Sequence, residues 1–218
     1  MPARAKRRRR GGTLERLGAT QMIPLSKALA TWQTVTGKVP EEADDIRICG
    51  GISADGGHTR AFINKLDAKV GTLSNCERLS LSTNCIDKLL PFSGMTKLKI
   101  LSLGRNLLKR VEKLDDLAGT LEQLWLSYNS ISGLDGVLPL TNLQVLYMAH
   151  NAIKDWAEIE KLAGLAHLRE VIFIGNPIYE GMDDDTARAH VVKRIPHIVK
   201  VDTKLVTDEL REAAAALP

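Results

Sequence analysis

One sequence frame recurs five times in this chain, and it constrains the fold more than any other feature. Each copy fits L-x-x-L-x-L-x-x-N-x-[IL], with Cys, Val, Phe or Met tolerated at apolar positions. The copies begin at Cys76, Leu98, Leu121, Leu143 and Leu168. Their asparagines are Asn84, Asn106, Asn129, Asn151 and Asn176, separated by 22, 23, 22 and 25 residues. These intervals are typical of leucine-rich repeats, so the sequence predicts a solenoid.

The pattern inside each frame predicts the local structure. Apolar residues alternate with variable ones at the L-x-L segment, as in a short strand that buries one face. Between frames the apolar residues recur at steps of three to four, which favours a helical or 3-10 return. The predicted fold class is therefore α/β, a leucine-rich-repeat solenoid with parallel strands on one face, helical or 3-10 segments on the other and helical caps at both ends.

The frame asparagines are predicted to form a structural ladder. A buried amide can satisfy both N–H and C=O groups that a turn leaves unpaired. Replacing one of them, for example Asn129→Ala, should leave buried backbone groups unpaired at a cost of roughly 1–3 kcal/mol.

Four regions follow from the pattern. We predict a basic, disordered tail at 1–20, an N-terminal capping helix at 21–44, a solenoid at 45–180 with one degenerate and five clear repeats, and a C-terminal cap with a terminal helix at 181–218. In the first cap, Ser26 is a candidate N-cap of a helix that buries Leu29, Trp32 and Val35.

The degenerate repeat is predicted to contain a strand at 45–48 and a helical return, with an irregular insertion at 53–60 between them. The residues assigned to this return are Phe62, Ile63, Leu66 and Val70. At the other end, apolar residues from Val191 to Val201 predict a helix and a short strand, and 207–217 predicts a short exposed helix.

The charge distribution bears on possible partners. The formal charge is +4, but Arg4, Lys6 and Arg7 to Arg10 all lie before residue 11, which leaves 24 basic and 26 acidic residues from residue 11 onward. A detachable basic arm is not a basic face, so nucleic acid is not an expected partner.

Three cysteines without CxxC spacing predict neither a disulfide framework nor a metal site. No apolar stretch reaches about 18 residues, so membrane insertion is not expected.

The outward positions of the strands are where a solenoid could bring catalytic or ligand-binding side chains together. They hold no His-carboxylate pair, phosphate-binding loop or ligand cluster, which predicts no catalytic residues, no cofactor, no small-molecule substrate and no enzyme activity. They do hold an apolar area that is typical of a protein-binding surface. The predicted partner-binding residues are Ile100, Ser102, Gln123, Trp125, Val145, Tyr147, Ile172 and Ile174. The alternative is that the chain's own N-terminal arm covers this face.

A second candidate surface lies near the C-terminal cap. Its basic residues are Lys193, Arg194, Lys200, Lys204 and Arg211. They fit either a merely solvated face or a docking site for an acidic protein surface.

The repeats also resemble a known family at positions that a generic repeat would not fix. The segments LSLGRNLLKRVEKLD, LEQLWLSYNSI, NLQVLYMAHNAIKDWAEIEKLAGL and GNPIY, followed by VVKRIP, are similar to the leucine-rich-repeat light chains of axonemal outer-arm dynein, over roughly residues 23–212. The Arg-rich extension and the insertion at 53–60 depart from that pattern.

The resemblance implies a function. It implies a subunit that binds the microtubule-binding domain of a dynein heavy chain through the apolar sheet face, with Trp125 and Tyr147 as anchors. It also implies that tubulin is a further partner and that four basic residues face the microtubule: Lys193, Arg194, Lys200 and Lys204. The expected location is the cytoplasm and cytoskeleton, in the axoneme of a cilium or flagellum.

Two other functional classes stay open. A regulatory subunit of a protein phosphatase, or a spliceosomal repeat protein, would share the 22-residue frame, and nuclear localisation through Arg7 to Arg10 would favour it. An enzyme has no positive indication in the sequence.

Overall fold

The computed structural model describes residues 21–55 and 59–218, so the predicted tail at 1–20 lies outside the described residues. The strands are β1 (Gln21–Pro24), β2 (Asp45–Arg47), β3 (Ala61–Lys65), β4 (Arg78–Ser80), β5 (Ile100–Ser102), β6 (Gln123–Trp125), β7 (Val145–Tyr147), β8 (Glu170–Ile172), β9 (Lys200–Val201) and β10 (Lys204–Leu205). The α-helices are α1 (Leu25–Thr36), α2 (Trp156–Glu160), α3 (Asp184–Arg194) and α4 (Asp208–Ala216).

The main sheet stacks one strand per repeat. Its order is β2, β4, β5, β6, β7, β8, β9 and β10, parallel throughout except for β10, which runs antiparallel to β9 at the edge. The middle residues of the three-residue strands, β2 and β4 to β8, are in register and fully buried, as Leu79, Leu101 and Leu124 show at 0 % exposure. The predicted fold class, a leucine-rich-repeat solenoid, is therefore confirmed.

The returns between strands are mostly short 3-10 helices, as predicted. They occupy Ala68–Thr72, Asp115–Leu117, Asp135–Val137, Lys161–Gly164 and, after the last frame, Pro177–Tyr179. The return after β4 is the exception, because residues 89–95 contain a turn at 93–94 and no helix. Its apolar side chains still reach the core, since Leu89, Phe92 and Met95 are all buried.

The predicted helical return at Phe62, Ile63 and Leu66 is wrong. Residues Ala61–Lys65 form β3, which pairs in parallel with β1. Within β3, the Ile63 N–H donates to Asn84 Oδ1 and the Ile63 carbonyl accepts from the Cys85 N–H. Ile63 thus occupies the apolar position that follows the asparagine in later frames. The insertion separates this residue from β2, so the apparent helical spacing in this stretch was accidental.

The N-terminal helix also differs from the prediction. Helix α1 is shorter than 21–44, begins after Pro24 and ends at Gly37, whose φ of 71° terminates it in a left-handed conformation. Ser26 is not its N-cap: it lies inside the first turn, and its backbone N–H donates to Asp67 Oδ2. The buried face comprises Leu25, Ala28, Leu29 and Trp32. Val35 lies off that face and is 58 % exposed.

The C-terminal end extends the solenoid beyond residue 180. Helix α3 begins at Asp184 with Asp183 as N-cap, and β9 then adds a further strand to the sheet. Helix α4 packs on α3 and buries Ala214, so the predicted terminal helix is not wholly exposed. In the part of the chain that is described, no helix is both long and apolar enough to span a bilayer.

Gly136 supplies a stability test of the repeat packing. It lies in a 3-10 return, where a Cβ would collide with the carbonyl oxygen of Val111 in the preceding repeat. Because backbone atoms of a neighbouring repeat cannot move independently, we expect Gly136→Ala to lower the free energy of unfolding by about 1–3 kcal/mol. Urea denaturation followed by circular dichroism measures the loss. Gly119→Ala is the matched control, since no neighbouring atom of residues 21–55 and 59–218 lies within 4 Å of a Cβ there, and equal losses in the two variants would contradict the packing argument.

Candidate protein-interaction surface

The register of the main sheet aligns the outward side chains into columns. Ile100, Gln123, Val145, Glu170 and Lys200 form one column. Arg47, Ser80, Ser102, Trp125, Tyr147 and Ile172 form the next. Strand pairing thus brings most of the predicted partner-binding residues onto adjoining positions of one face. We call the apolar members Ile100, Trp125, Val145, Tyr147, Ile172 and Ile174 the apolar patch.

Trp125 and Tyr147 lie at the centre of the apolar patch. They are directly paired in register on β6 and β7, and their rings stack with centroids 5.6 Å apart and planes inclined by 22°. Both side chains are only partly buried, and they project from the sheet rather than into the core. The indole Nε1 of Trp125 is shielded from solvent yet has no hydrogen-bond partner within 21–55 and 59–218. Such a pair combines a large apolar surface with a polar donor, as interface anchors often do.

A polar contact borders the patch on the β8 side. The Tyr147 hydroxyl donates to Glu170 Oε1 at 2.8 Å, and Lys200 Nζ lies 3.1 Å from the same oxygen. Burial raises the pKa of Tyr147 to about 12, and the hydrogen bond to the Glu170 carboxylate and its negative charge act in the same direction. Tyr147 is therefore protonated near neutral pH and acts as a donor. The contact holds the Tyr147 ring in the orientation in which it stacks on Trp125.

Two of the eight predicted face residues depart from the apolar character of the rest. Ser102 is only 6 % exposed, and its hydroxyl lies 2.7 Å from that of Ser82, so it offers little surface to a partner. Gln123 is partly exposed between Ile100 and Val145 in its column. Ile174 follows β8 and is the most open member of the apolar patch, at 42 % exposure.

The frame asparagines connect successive repeats through their side chains. In Asn106, Oδ1 accepts from the Ile86 N–H at 3.0 Å, while Nδ2 donates to the carbonyls of Leu81 and Leu103. Asn84, Asn151 and Asn176 repeat this pattern and are also buried. Asn129 makes the same kinds of bond but is only partly buried. The ladder holds the strand ends in place and so positions the columns of the face.

Most of the basic residues near the C-terminal cap contact other parts of the fold. Lys193 Nζ donates to the carbonyl oxygens of Leu217 and Pro218. The Arg194 guanidinium lies 4.7 Å from the centroid of the Trp156 ring on α2, and its Nε is 3.3 Å from Glu160. These contacts are with the return and the C-terminus, whereas Lys200 contacts Glu170 on the sheet.

Lys204 and Arg211 complete that cluster. Arg211 donates to the carbonyls of Pro196 and Ile198. Lys204 is exposed and makes no side-chain hydrogen bond or ion pair with any residue that the structure describes. Of the four cations predicted to face the microtubule, it is the one without a partner in that part of the chain.

Sequence reasoning missed a second row of side chains at the edge of the face. It consists of the residue before the asparagine in each frame: Thr83, Arg105, Tyr128, His150 and Gly175, which we call the edge row. All five have positive φ, between 52° and 76°. The repeat frame could have indicated this row, since residues that share one backbone conformation project their side chains in one direction.

Three members of the edge row are stacked on each other. The Arg105 guanidinium carbon lies 4.0 Å from the centroid of the Tyr128 ring, and that ring stacks on His150 with centroids 4.4 Å apart. At the end of the row, a Cβ on Gly175 would collide with the His150 imidazole, so glycine allows the ring to lie against the backbone there. The stack adjoins the apolar patch, because Gly175 directly follows Ile174.

No cluster of three or more His, Cys, Asp or Glu side chains in the described ranges could hold a metal ion.

Comparison with known proteins identifies both the repeats and close relatives. The family model described as leucine rich repeats, two copies, matches residues 120–167. A Bos taurus protein named dynein axonemal light chain 1 is 46 % identical over 189 residues, which is 86 % of this chain and 95 % of that protein. The Homo sapiens protein of that name is 46 % identical over 82 % of this chain and 90 % of its own length. The Chlamydomonas reinhardtii protein is 50 % identical over 70 % and 79 %.

Solved structures share the architecture at low sequence identity. A crystal structure of the Drosophila melanogaster SNF/U2A′ complex contains a chain with a TM-score of 0.52 and 20 % identity, covering 63 % of this chain and 79 % of that one. An internalin from Listeria monocytogenes has a TM-score of 0.51 at 20 % identity, covering 65 % and 41 %. At such identities the likeness shows the fold alone.

Proposed function

The chain belongs to the dynein axonemal light chain 1 family, and we propose that it binds the microtubule-binding region of a dynein heavy chain through the apolar patch. As a member of this family, the chain has a dynein light chain role and lies in the axoneme of a cilium or flagellum. It also suggests a non-catalytic protein. The proposed part is the surface used, the heavy-chain region bound and the effect on the motor.

The observation that supports this proposal is the register of β6 and β7. It places two large aromatic rings side by side on an open sheet face, with Ile100, Val145 and Ile172 around them. Burying each ring would contribute on the order of 2 kcal/mol. Exposed apolar areas of this kind usually mark interaction sites on proteins.

A light chain held on the microtubule-binding region would modulate how the motor engages its track. Tubulin is a further candidate partner, and Lys204 is the member of the basic cluster best placed to meet an acidic surface, because the others are engaged within the fold. Opposite charge would chiefly speed the encounter between the two surfaces.

The proposal is tested in two steps. Affinity capture of the tagged chain from ciliated cells, with mass-spectrometric identification, should recover a dynein heavy chain. The purified chain should then bind a recombinant microtubule-binding region of that heavy chain in isothermal titration calorimetry. Recovery of the heavy chain without binding to this region would show that the proposed site on the motor is wrong. Recovery of no dynein heavy chain would reject the proposal as a whole.

Modulation of the motor has its own measurement. We expect the apparent affinity of the recombinant microtubule-binding region for microtubules, in co-sedimentation, to change when the light chain is bound. An unchanged affinity at saturating light chain would contradict this part of the proposal while leaving the binding itself intact.

A further inference from the structure

We propose that the edge row forms a second, polar half of the heavy-chain interface, in which Arg105, Tyr128 and His150 bind an acidic segment of the heavy chain alongside the apolar patch. This inference rests on the proposed function, because it places the acidic segment on the same partner. It adds what that proposal leaves open, namely the chemistry that fixes the orientation and specificity of the complex.

The backbone conformation sets the direction of the edge-row side chains in the absence of a partner. Arg105, Tyr128 and His150 have φ of 54°, 60° and 52°, a left-handed conformation that side chains other than glycine seldom adopt. The repeat imposes it, because the N–H of each residue donates to a carbonyl of the following repeat: Ser127, Ala149 and Ile174. Side chains at these positions therefore project in one row at the spacing of the strands. Their direction does not depend on a partner.

The stacking then fixes the planar groups without using their hydrogen-bonding capacity. The guanidinium of Arg105 lies over the Tyr128 ring, which leaves its N–H groups free to bind an acceptor. Within the described part of the chain, the side chains of Arg105, Tyr128 and His150 make no hydrogen bond or ion pair, although all three are exposed. Most other cations near the sheet are paired, as Lys99 is with Glu77 and Lys200 is with Glu170.

The hydrogen-bond donors and the positive charge of the edge row indicate which kind of segment it binds. A guanidinium, a phenol and an imidazole offer donors in one line, and the guanidinium carries a positive charge. A carboxylate-bearing segment satisfies these donors, and Arg binds carboxylates in a planar, two-pronged geometry. Continuity with the apolar patch at Ile174 and Gly175 means that a partner seated on Trp125 and Tyr147 can reach the row with an adjacent segment. The occupant is therefore an acidic stretch of the heavy-chain microtubule-binding region.

Binding of that recombinant region, measured by calorimetry at low and at physiological salt, tests the inference. Arg105→Glu should weaken binding by on the order of tenfold or more and reduce its salt dependence. Tyr128→Phe keeps the stacked ring and removes only the hydroxyl, so it should weaken binding by a few-fold without affecting the fold. Lys38→Glu is the matched control: it makes the same charge change at an exposed position just after α1 and should leave the affinity within about twofold.

Charge reversal on the partner identifies the contact. One of the heavy-chain variants in which an Asp or Glu is replaced by Lys should restore binding to Arg105→Glu while weakening binding to the native chain. If Arg105→Glu and Tyr128→Phe both bind as tightly as Lys38→Glu, the inference is overturned although the proposed function stands. If the native chain does not bind the heavy-chain region at all, the proposed function and this inference fail together.

Discussion

Replacing Trp125 and Tyr147 together by alanine is expected to weaken binding to the heavy-chain microtubule-binding region severely while leaving the fold intact. The two rings stack at the centre of the apolar patch and are paired in register on neighbouring strands. Aromatic anchors at the centre of an interface typically contribute about 2 kcal/mol each, so the double variant should bind roughly a thousandfold more weakly. Isothermal titration calorimetry measures the affinity, and circular dichroism checks the fold.

The control removes apolar surface elsewhere on the molecule. Val35 is 58 % exposed on α1 and Leu107 is 56 % exposed after the Asn106 turn, and neither belongs to the apolar patch. Val35→Ala with Leu107→Ala should leave the affinity nearly unchanged. If the Trp125 and Tyr147 double variant also retained native affinity, the sheet face would not be the binding surface.

Deletion of residues 1–20 addresses the alternative that the N-terminal arm covers the patch, because its removal would then tighten binding.

The neighbours within the apolar patch could be predicted because two properties of the repeat frame determine them. Alternation at period two decides which side chains point outward, and the equal frames decide which of them are neighbours across strands. Trp125 and Tyr147 lie at the same position of successive frames, so their pairing followed from counting residues. The observed register pairs these positions in the order of the frames.

What could not be predicted lies where the frame is interrupted or where contacts join distant segments. The insertion before Ala61 breaks the count, so Phe62 and Ile63 were assigned to a helix although they form a strand beside β1. Ser26 has the residue type of an N-cap, but Asp67 of a later segment accepts its backbone N–H instead. Arg194 looked like a free surface cation because nothing local shows its contacts with Trp156 and Glu160.

The largest stability effect is expected for Asn106→Ala in the asparagine ladder. Its Nδ2 donates to the Leu81 and Leu103 carbonyls, but these also accept from Asn84 and Asn129, so they would not be left unpaired. The Ile86 N–H is different, because its bond to Asn106 Oδ1 spans two repeats in the buried interior. Losing its acceptor, together with the other bonds of the amide, should lower the free energy of unfolding by about 3 kcal/mol. Urea denaturation with an unchanged m-value measures this loss.

Two other asparagines decide whether burial or the hydrogen bond itself sets that cost. Asn129→Ala leaves the Leu108 N–H without its acceptor in the same way, but Asn129 is only partly buried, so water can replace the lost bond. We expect a loss of about 1 kcal/mol there, at the lower end of the range for an unsatisfied group. Asn142 is exposed, lies outside the ladder and donates to the Gly119 carbonyl, so Asn142→Ala should cost less than about 0.5 kcal/mol. Equal losses for Asn106→Ala and Asn142→Ala would mean that the ladder does not hold the repeats together, because a surface hydrogen bond would then stabilise the fold as much as a buried one.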